Sequence, residues 1–435
     1  MKTNNKLHTI LFLSLLLVVA LSGCRKPSAG SGNLEGMVTG PDGSGLGGVS
    51  VLYGDSAVFT DFSGGYFYEG LPDGTQGVRF VLNGYYSIMS LVDIPSGGTA
   101  RCDAVMDIIT AGWAAGSEDS GYGTILYTSD AGVSWVRQGA PGTVPAARLT
   151  DVCAVSDRKC WIVGDADTVS GSAVILRTDD GGATWVNQGL SLSSLSSASM
   201  AAVISLDGDT AWAVTADTSV VLKTVNAGNT WSECRNSDAV RGYTSVTTLD
   251  GRNIWCSGIG MDGNAVVEYS PDGGTTWNVL NVSAVAGQNV IPESICAVSE
   301  TELFMAGTGT MGVLFSSDCG GTWSQIMVAD MDILSLEAMD SGRLWASGTG
   351  GHLLSTADGF RTHTDILPAE GSYPGGDVSA VAFLRDGIHG AFSVKSQSGA
   401  TGAIFYTADG GSSWSLASVP FSFSIENLDF VGGNN

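Results

Sequence analysis

Short apolar runs separated by polar turns recur along almost the whole chain, at lengths that suit strands and not helices. Around residues 151–185 the runs are Asp151-Val152-Cys153-Ala154-Val155, Trp161-Ile162-Val163-Gly164, Val174-Ile175-Leu176-Arg177 and a strand opening at Trp185. They predict four antiparallel strands, A to D in chain order. Between C and D lies an eight-residue stretch of the form Ser/Thr-x-Asp-x-Gly-x-x-Trp, which opens at Thr128, Thr178, Thr224, Ser270, Ser316, Thr356 and Thr407. The steps are 50, 46, 46, 46, 40 and 51 residues, a period that suits one four-stranded propeller blade. Seven copies predict seven blades.

The eight-residue stretch reads as a structural turn. Its acidic positions are Asp130, Asp180, Asn226, Asp272, Asp318, Asp358 and Asp409; the copy at Thr356 has Phe360 for Gly and His363 for Trp. The hydroxyl and the carboxylate can bond the turn backbone, Gly supplies positive φ, and Trp anchors the next strand. Each turn offers one carboxylate where calcium takes six to eight oxygens, so no calcium site is expected. A second element, Trp-x-x-Gly or a relaxed form, precedes each turn at Trp113, Trp161, Trp212, Trp255, Phe304, Trp345 and Gly390. All eleven tryptophans fall in these two phases, which predicts packing wedges between blades and no stacking platform for a ligand.

Phase also predicts how the ring closes. The first blade opens at Trp113 without an A strand of its own, whereas the chain ends in Ile425-Glu426-Asn427-Leu428-Asp429-Phe430, an A strand with no blade after it. That segment should pair into the first blade and remove the open sheet edge. The fold class is therefore all-β: a small β-sandwich over 33–107, then a seven-bladed propeller over 108–435 closed by the C-terminal strand. The sandwich is read from hairpin punctuation such as Pro41-Asp42-Gly43-Ser44-Gly45 between Gly36-Met37-Val38 and Gly48-Val49-Ser50-Val51.

Lys2 and Lys6 precede the apolar run Ile10–Ala20, too short to span a bilayer but fitting the core of an export signal. It ends in Leu21-Ser22-Gly23-Cys24, which resembles the bacterial lipoprotein lipobox, in which cleavage before Cys leaves its thiol and amine to be acylated. The resemblance implies a signal peptide over 1–23, lipidation at Cys24 and a tether over 24–32. Membrane attachment would then be through acyl chains on the extracytoplasmic side of the cell envelope, periplasmic or at the cell surface. Seven cysteines remain. Cys153 and Cys160 flank a turn at Ser156-Asp157 and are either cross-linked across a hairpin or buried as free thiols. No CxxC occurs and His352, His363 and His389 are not at ligand spacing, so no metal and no cofactor are expected.

Composition narrows the partners. There are 19 Lys plus Arg against 43 Asp plus Glu, a formal charge of -24 that becomes -26 once Lys2 and Lys6 leave with the signal. Nucleic acid is excluded as a partner by repulsion, and basic partners are favoured. A monomer is expected.

Three further resemblances follow from the motifs quoted. Thr60-Asp61-Phe62-Ser63-Gly64-Gly65-Tyr66-Phe67, Leu71-Pro72-Asp73-Gly74 and Asn83-Gly84-Tyr85 resemble the carboxypeptidase regulatory-like sandwiches, which implies a spacer or binding accessory without peptidase residues. The eight-residue turn matches the BNR or Asp-box repeat. In tandem with Trp-x-x-Gly and an Ile-Leu-x-Thr strand, it looks most like the photosystem II stability/assembly factor family, which implies a non-catalytic protein-binding scaffold. That family's Arg-rich patch has no counterpart among the 17 Lys plus Arg left after residue 23. The alternative is a glycan-binding protein or a sialidase-like Asp-box glycoside hydrolase, but no Arg-Ile-Pro segment opens this propeller. Alternation of the strands puts the A–B and C–D turns on one face and the B–C and D–A loops on the other. The second face is where a protein or glycan should bind, and its candidate residues are Glu118, Tyr122, Arg148, Asp165, Asp167, Arg241, Tyr243, Asp262, Glu293 and Tyr373.

Overall fold

The computed structural model describes residues 30–189, 195, 197–327, 330–367, 376–395, 402–419 and 424–433. Two compact units part between Asp107 and Ile108. Cys24, the signal segment and Tyr373 lie outside the described residues.

The first unit is a sandwich of two four-stranded sheets. Ser31–Thr39 is flanked by Gly65–Pro72 on one side and by Thr99–Arg101 and Ala104–Val105 on the other; the second sheet runs Ser56–Phe59, Ser50–Tyr53, Gly74–Val81, Ile88–Ile94. Alternate residues Leu34 and Val38 point inward onto Val51, Tyr66, Val78 and Phe80, as the period of two requires. Pairing starts two residues before the expected boundary, because Ser31 and Gly32 already face Pro72 and Leu71.

The second unit has seven four-stranded sheets, each a blade. Blade 2 runs outward through Leu149–Ala154, Cys160–Gly164, Val174–Thr178 and Val186–Asn187, the predicted A to D order. The innermost strands of blades 3 to 7 are Met200–Ser205, Val240–Thr247, Pro292–Ala297, Ile333–Ala338 and Asp377–Phe383. In blade 1 that place is taken by Ile425–Phe430, antiparallel to Gly112–Asp119. The ring closes as the phase of the repeat predicts.

Adjacent blades are held by wedges and by side chain to backbone bonds. Trp161 is fully buried in one cluster with Met200, Ile204 and Trp212 of blade 3, its ring edge-on to Trp231 at 5.5 Å. Nine of the eleven tryptophans are buried, and Trp277 and Trp414 are half-buried in the same clusters. In blade 7 the strand register gives the wedge position to Ala391, one residue beyond Gly390. Phe430 from the closing strand packs with Ala391 in its place. The carboxylates of Asp151 and Asp429 accept the backbone N–H of Val203 (2.8 Å) and Ala154 (2.7 Å) in the next blade.

All seven turns close on one framework of bonds. In blade 2, Thr178 Oγ1 accepts the N–H of Gly182 at 2.9 Å, while Asp180 accepts the N–H and hydroxyl of Thr184 at 2.8 and 2.7 Å. Asn226 keeps the N–H of Thr230 at 3.0 Å but donates its amide to that hydroxyl. The divergent copy at Thr356 makes the same bonds, with Phe360 at φ 61° where Gly is usual. The N–H groups of Thr184, Thr276, Thr322 and Thr362 hold the carboxyls of Asp180, Asp272, Asp318 and Asp358 below the usual aspartate range.

The cross-strand disulfide is not formed. All seven described cysteines are free. Cys153 faces Trp161 and Cys160 faces Ala154, a one-residue offset that sends the two thiols to opposite faces of the sheet. A five-residue turn, with Val155 N–H on the Lys159 carbonyl, sets this register where a two-residue turn was expected.

Three outcomes follow. Trp161→Ala should lower stability by about 3–5 kcal/mol in urea melts, through loss of the wedge and a cavity between blades 2 and 3. Unfolding in alkylating reagent without reductant should label both Cys153 and Cys160; a peptide pair still joined would contradict the register. Because depressed carboxyls stabilise the folded state only while ionised, the melting temperature should fall as pH drops through and below the ordinary aspartate value of 3.8. Replacing Asp180, Asp272, Asp318 and Asp358 together with Asn should flatten that fall.

Candidate functional site

The inner ends of the blades build a channel. Each of the seven innermost strands skips a residue in its pairing with strand B, near its start, and that of blade 4 skips two, Arg241 and Thr244. Arg241 apart, the skipped residues are Thr150, Ala201, Thr244, Glu293, Leu334, Ser379 and Glu426, and all seven of these line one cavity of about 270 Å³ on the axis. A bulge re-aims its side chain, so seven equivalent bulges form a ring. Three ring members are hydroxyls that donate to the next blade: Thr150 to the carbonyl of Met200 (2.9 Å), Ser379 to that of Ile425 (2.8 Å), and Thr244 to that of Pro292. Ala201 and Leu334 are apolar. Glu293 and Glu426 carry carboxylates, which cannot donate.

The two glutamates have unlike surroundings. Glu426 binds Lys395 Nζ and Arg148 Nη1 (3.4 Å), and Arg148 is shared with Asp165 at 2.9 Å. Among the described residues Glu293 has no hydrogen bond or ion pair. Burial, and then the negative charge of Asp332, push its carboxyl up to about 6. Burial likewise raises Asp151 to about 6, against the bonds from Val203 N–H and Asn427 that favour its charged form. Arg148 and Lys395 lie where strand A starts and strand B ends, so the network marks the mouth on the face of the B–C and D–A loops.

The predicted site residues divide accordingly. Arg148, Asp165 and Glu293 gather at the channel. Asp167 and Asp262 are spent within their own loops, Asp167 on Val169 N–H (3.1 Å) and Ser170, Asp262 on the N–H (3.0 Å) and amide (2.8 Å) of Asn264. Tyr122 lies under the guanidinium of Arg137, 3.9 Å from the ring centre. Glu118 and Arg241 are exposed on the loop face. Tyr243 does not belong to a surface site. It is 1% exposed and donates its hydroxyl to Glu268, which is fully buried and also takes Arg235 Nη2 at 2.6 Å and Ser237 Oγ at 2.7 Å. The aromatic directly before the skipped Thr244 turns inward, and burial raises its phenol. Asp151, Lys395, Glu426 and Asn427 were missed. The signal for the glutamates was present, since Glu293 and Glu426 hold the same phase of strand A.

This geometry defines a class, the seven-bladed Asp-box propeller with a polar axial channel. Residues 167–255 match the family model of the photosynthesis system II assembly factor YCF48. No curated protein matches the chain. Among solved structures, YCF48 bound to a D1 peptide is 18% identical, over 72% of this chain and 90% of that one, with a TM-score of 0.50. A protein from Lactobacillus plantarum is 12% identical over 73% and 98%, with a TM-score of 0.51. A GH74 xyloglucanase from Xanthomonas campestris is 15% identical over 62% of this chain and 45% of its own, with a TM-score of 0.48. These likenesses are to the propeller fold.

Proposed function

We propose that the propeller is a non-catalytic protein-binding scaffold that docks its partner on the loop face, and that acyl chains on Cys24 hold it to the extracytoplasmic side of a membrane. The observation that carries the reading is the asymmetry of the two faces. The Asp-box carboxylates, which dominate their face, are consumed inside their own turns. The loop face carries the most exposed apolar tips of the propeller, Val169 (85% exposed) and Met261 (67%), together with the exposed Arg148 and Arg241. Exposed apolar tips next to charged groups suit protein contact. The match to the YCF48 model and a solved YCF48 holding a peptide support the same reading. The sandwich would then act as the spacer between anchor and propeller.

A photo-crosslinking residue at Val169 or Met261 should give discrete protein adducts in native membranes, and one at Val133 or Val225 in the Asp-box turns should not. Adducts confined to the turn face, or none from either, would overturn the docking face. Cys24→Ser should move the protein from the membrane to the soluble fraction; a variant that stays membrane-bound would rule out the acyl anchor.

A further inference from the structure

We propose that the axial channel is a binding site for an organic cation, an alkylammonium or guanidinium group, with Glu293 as its counter-charge. The ring of bulges carries the argument. Of its seven members, the three hydroxyls are satisfied by the next blade, the two apolar side chains need no partner, and Glu426 is neutralised by Lys395 and Arg148. Among the seven bulge residues Glu293 alone brings a charge without a hydrogen bond or cation of its own among the described residues; the other unpaired carboxyl of the wall, Asp151, is held by the N–H of Val203 (2.8 Å) and the amide of Asn427. Ser245, Ser294 and Ser335 line the same cavity and add the hydroxyl oxygens that an N–H donor needs.

Charge and size select the ligand. The titratable groups lining the cavity are Arg148, Asp151, Glu293, Cys296, Lys395 and Glu426, with Asp332 close enough to Glu293 to act on it; burial keeps the Cys296 thiol protonated. Both cations are already paired, Arg148 with Asp165 and Glu426, Lys395 with Glu426, so an incoming anion would have to displace a carboxylate. An incoming cation displaces nothing. No group of three His, Cys, Asp or Glu among the described residues could hold a metal ion, which favours a donor with N–H groups over a bare ion. The cavity of about 270 Å³ has room for a side-chain tip or a small amine and not for a folded segment. The raised carboxyl of Glu293 is what a charge awaiting its partner would show, and a bound cation should bring it down. The channel opens on the docking face, so where the cation belongs to a protein the inference rests on the scaffold reading; where it is a free amine it does not.

The test uses the full chain in detergent and titrates it with putrescine, arginine methyl ester, and short blocked Gly-Lys-Gly and Gly-Arg-Gly peptides, with the norleucine peptide as the uncharged control. Calorimetry reads binding, and carbon NMR of labelled glutamate carboxyls reads Glu293. Cationic probes should bind, and should lower the titration midpoint of the Glu293 carboxyl; the norleucine peptide should not. Affinity should rise with pH from 5 to 7 as that carboxyl, at about 6 when empty, becomes charged. Glu293→Gln should weaken binding roughly tenfold or more without lowering the melting temperature at pH 7, because no protein partner is lost and a buried, unpaired charge is removed. Glu300→Gln, on an exposed turn of the opposite face, should change nothing. Binding by the peptides alone assigns the cation to a protein side chain, and binding by the free amines alone assigns it to a small molecule. Equal binding of the norleucine peptide, no binding of any cation, or indifference to Glu293→Gln would overturn the proposal. The crosslinks from Val169 and Met261 do not depend on Glu293, so a failure here is separable from a failure of the docking face.

Discussion

A blade of this propeller cannot bury its own faces. It is a twisted four-stranded sheet whose two sides are both apolar, so each side must be covered by a neighbour, and the chain is stable only as a closed ring. Everything else follows from that demand. The wedges Trp113, Trp161, Trp212, Trp255, Phe304 and Trp345 fill the spaces between blades, and Ile425–Phe430 completes the one blade that would otherwise expose an edge. At the seam where blade 7 meets blade 1, Ala391 and Phe430 exchange the usual roles, because the closing strand brings its own aromatic.

The Asp-box turns solve a separate problem. A chain reversal between two buried strands leaves backbone N–H groups without partners, and each box supplies a hydroxyl and a carboxylate to meet them. The conformational demand is strict enough that the copy at Thr356 folds the same way after losing both its Gly and its Trp, with Phe360 in the left-handed region and buried. Since the acids are consumed there, a formal charge of -24 does not make that face a cation-binding surface. The charges that gather into one network lie on the opposite face, at the channel mouth.

The channel arises from one repeated irregularity. Because every innermost strand bulges at the same place, the ring offers seven equivalent positions, each of which sets what the channel wall presents. Thr150, Thr244 and Ser379 spend their positions on holding neighbouring blades together. Glu426 builds the ion-paired rim with Arg148 and Lys395, and Glu293 leaves the opposite wall acidic.

The sequence by itself determined the number of blades, the turn chemistry, the wedge role of tryptophan and the closing strand, because each depends on spacing along the chain, and spacing is local information repeated seven times. It also placed Arg148, Asp165 and Glu293 on the face of the B–C and D–A loops, since strand alternation decides which loops share an end. Only the tertiary structure decided which of those residues meet. The five-residue turn after Ala154 set a register that parted Cys153 from Cys160, Tyr243 turned inward onto a buried Glu268, and Glu426 came 278 residues along the chain to Arg148. Register and ring closure are set by contacts between distant strands, and a one-residue slip reverses the face a side chain occupies, so no local pattern could have resolved them.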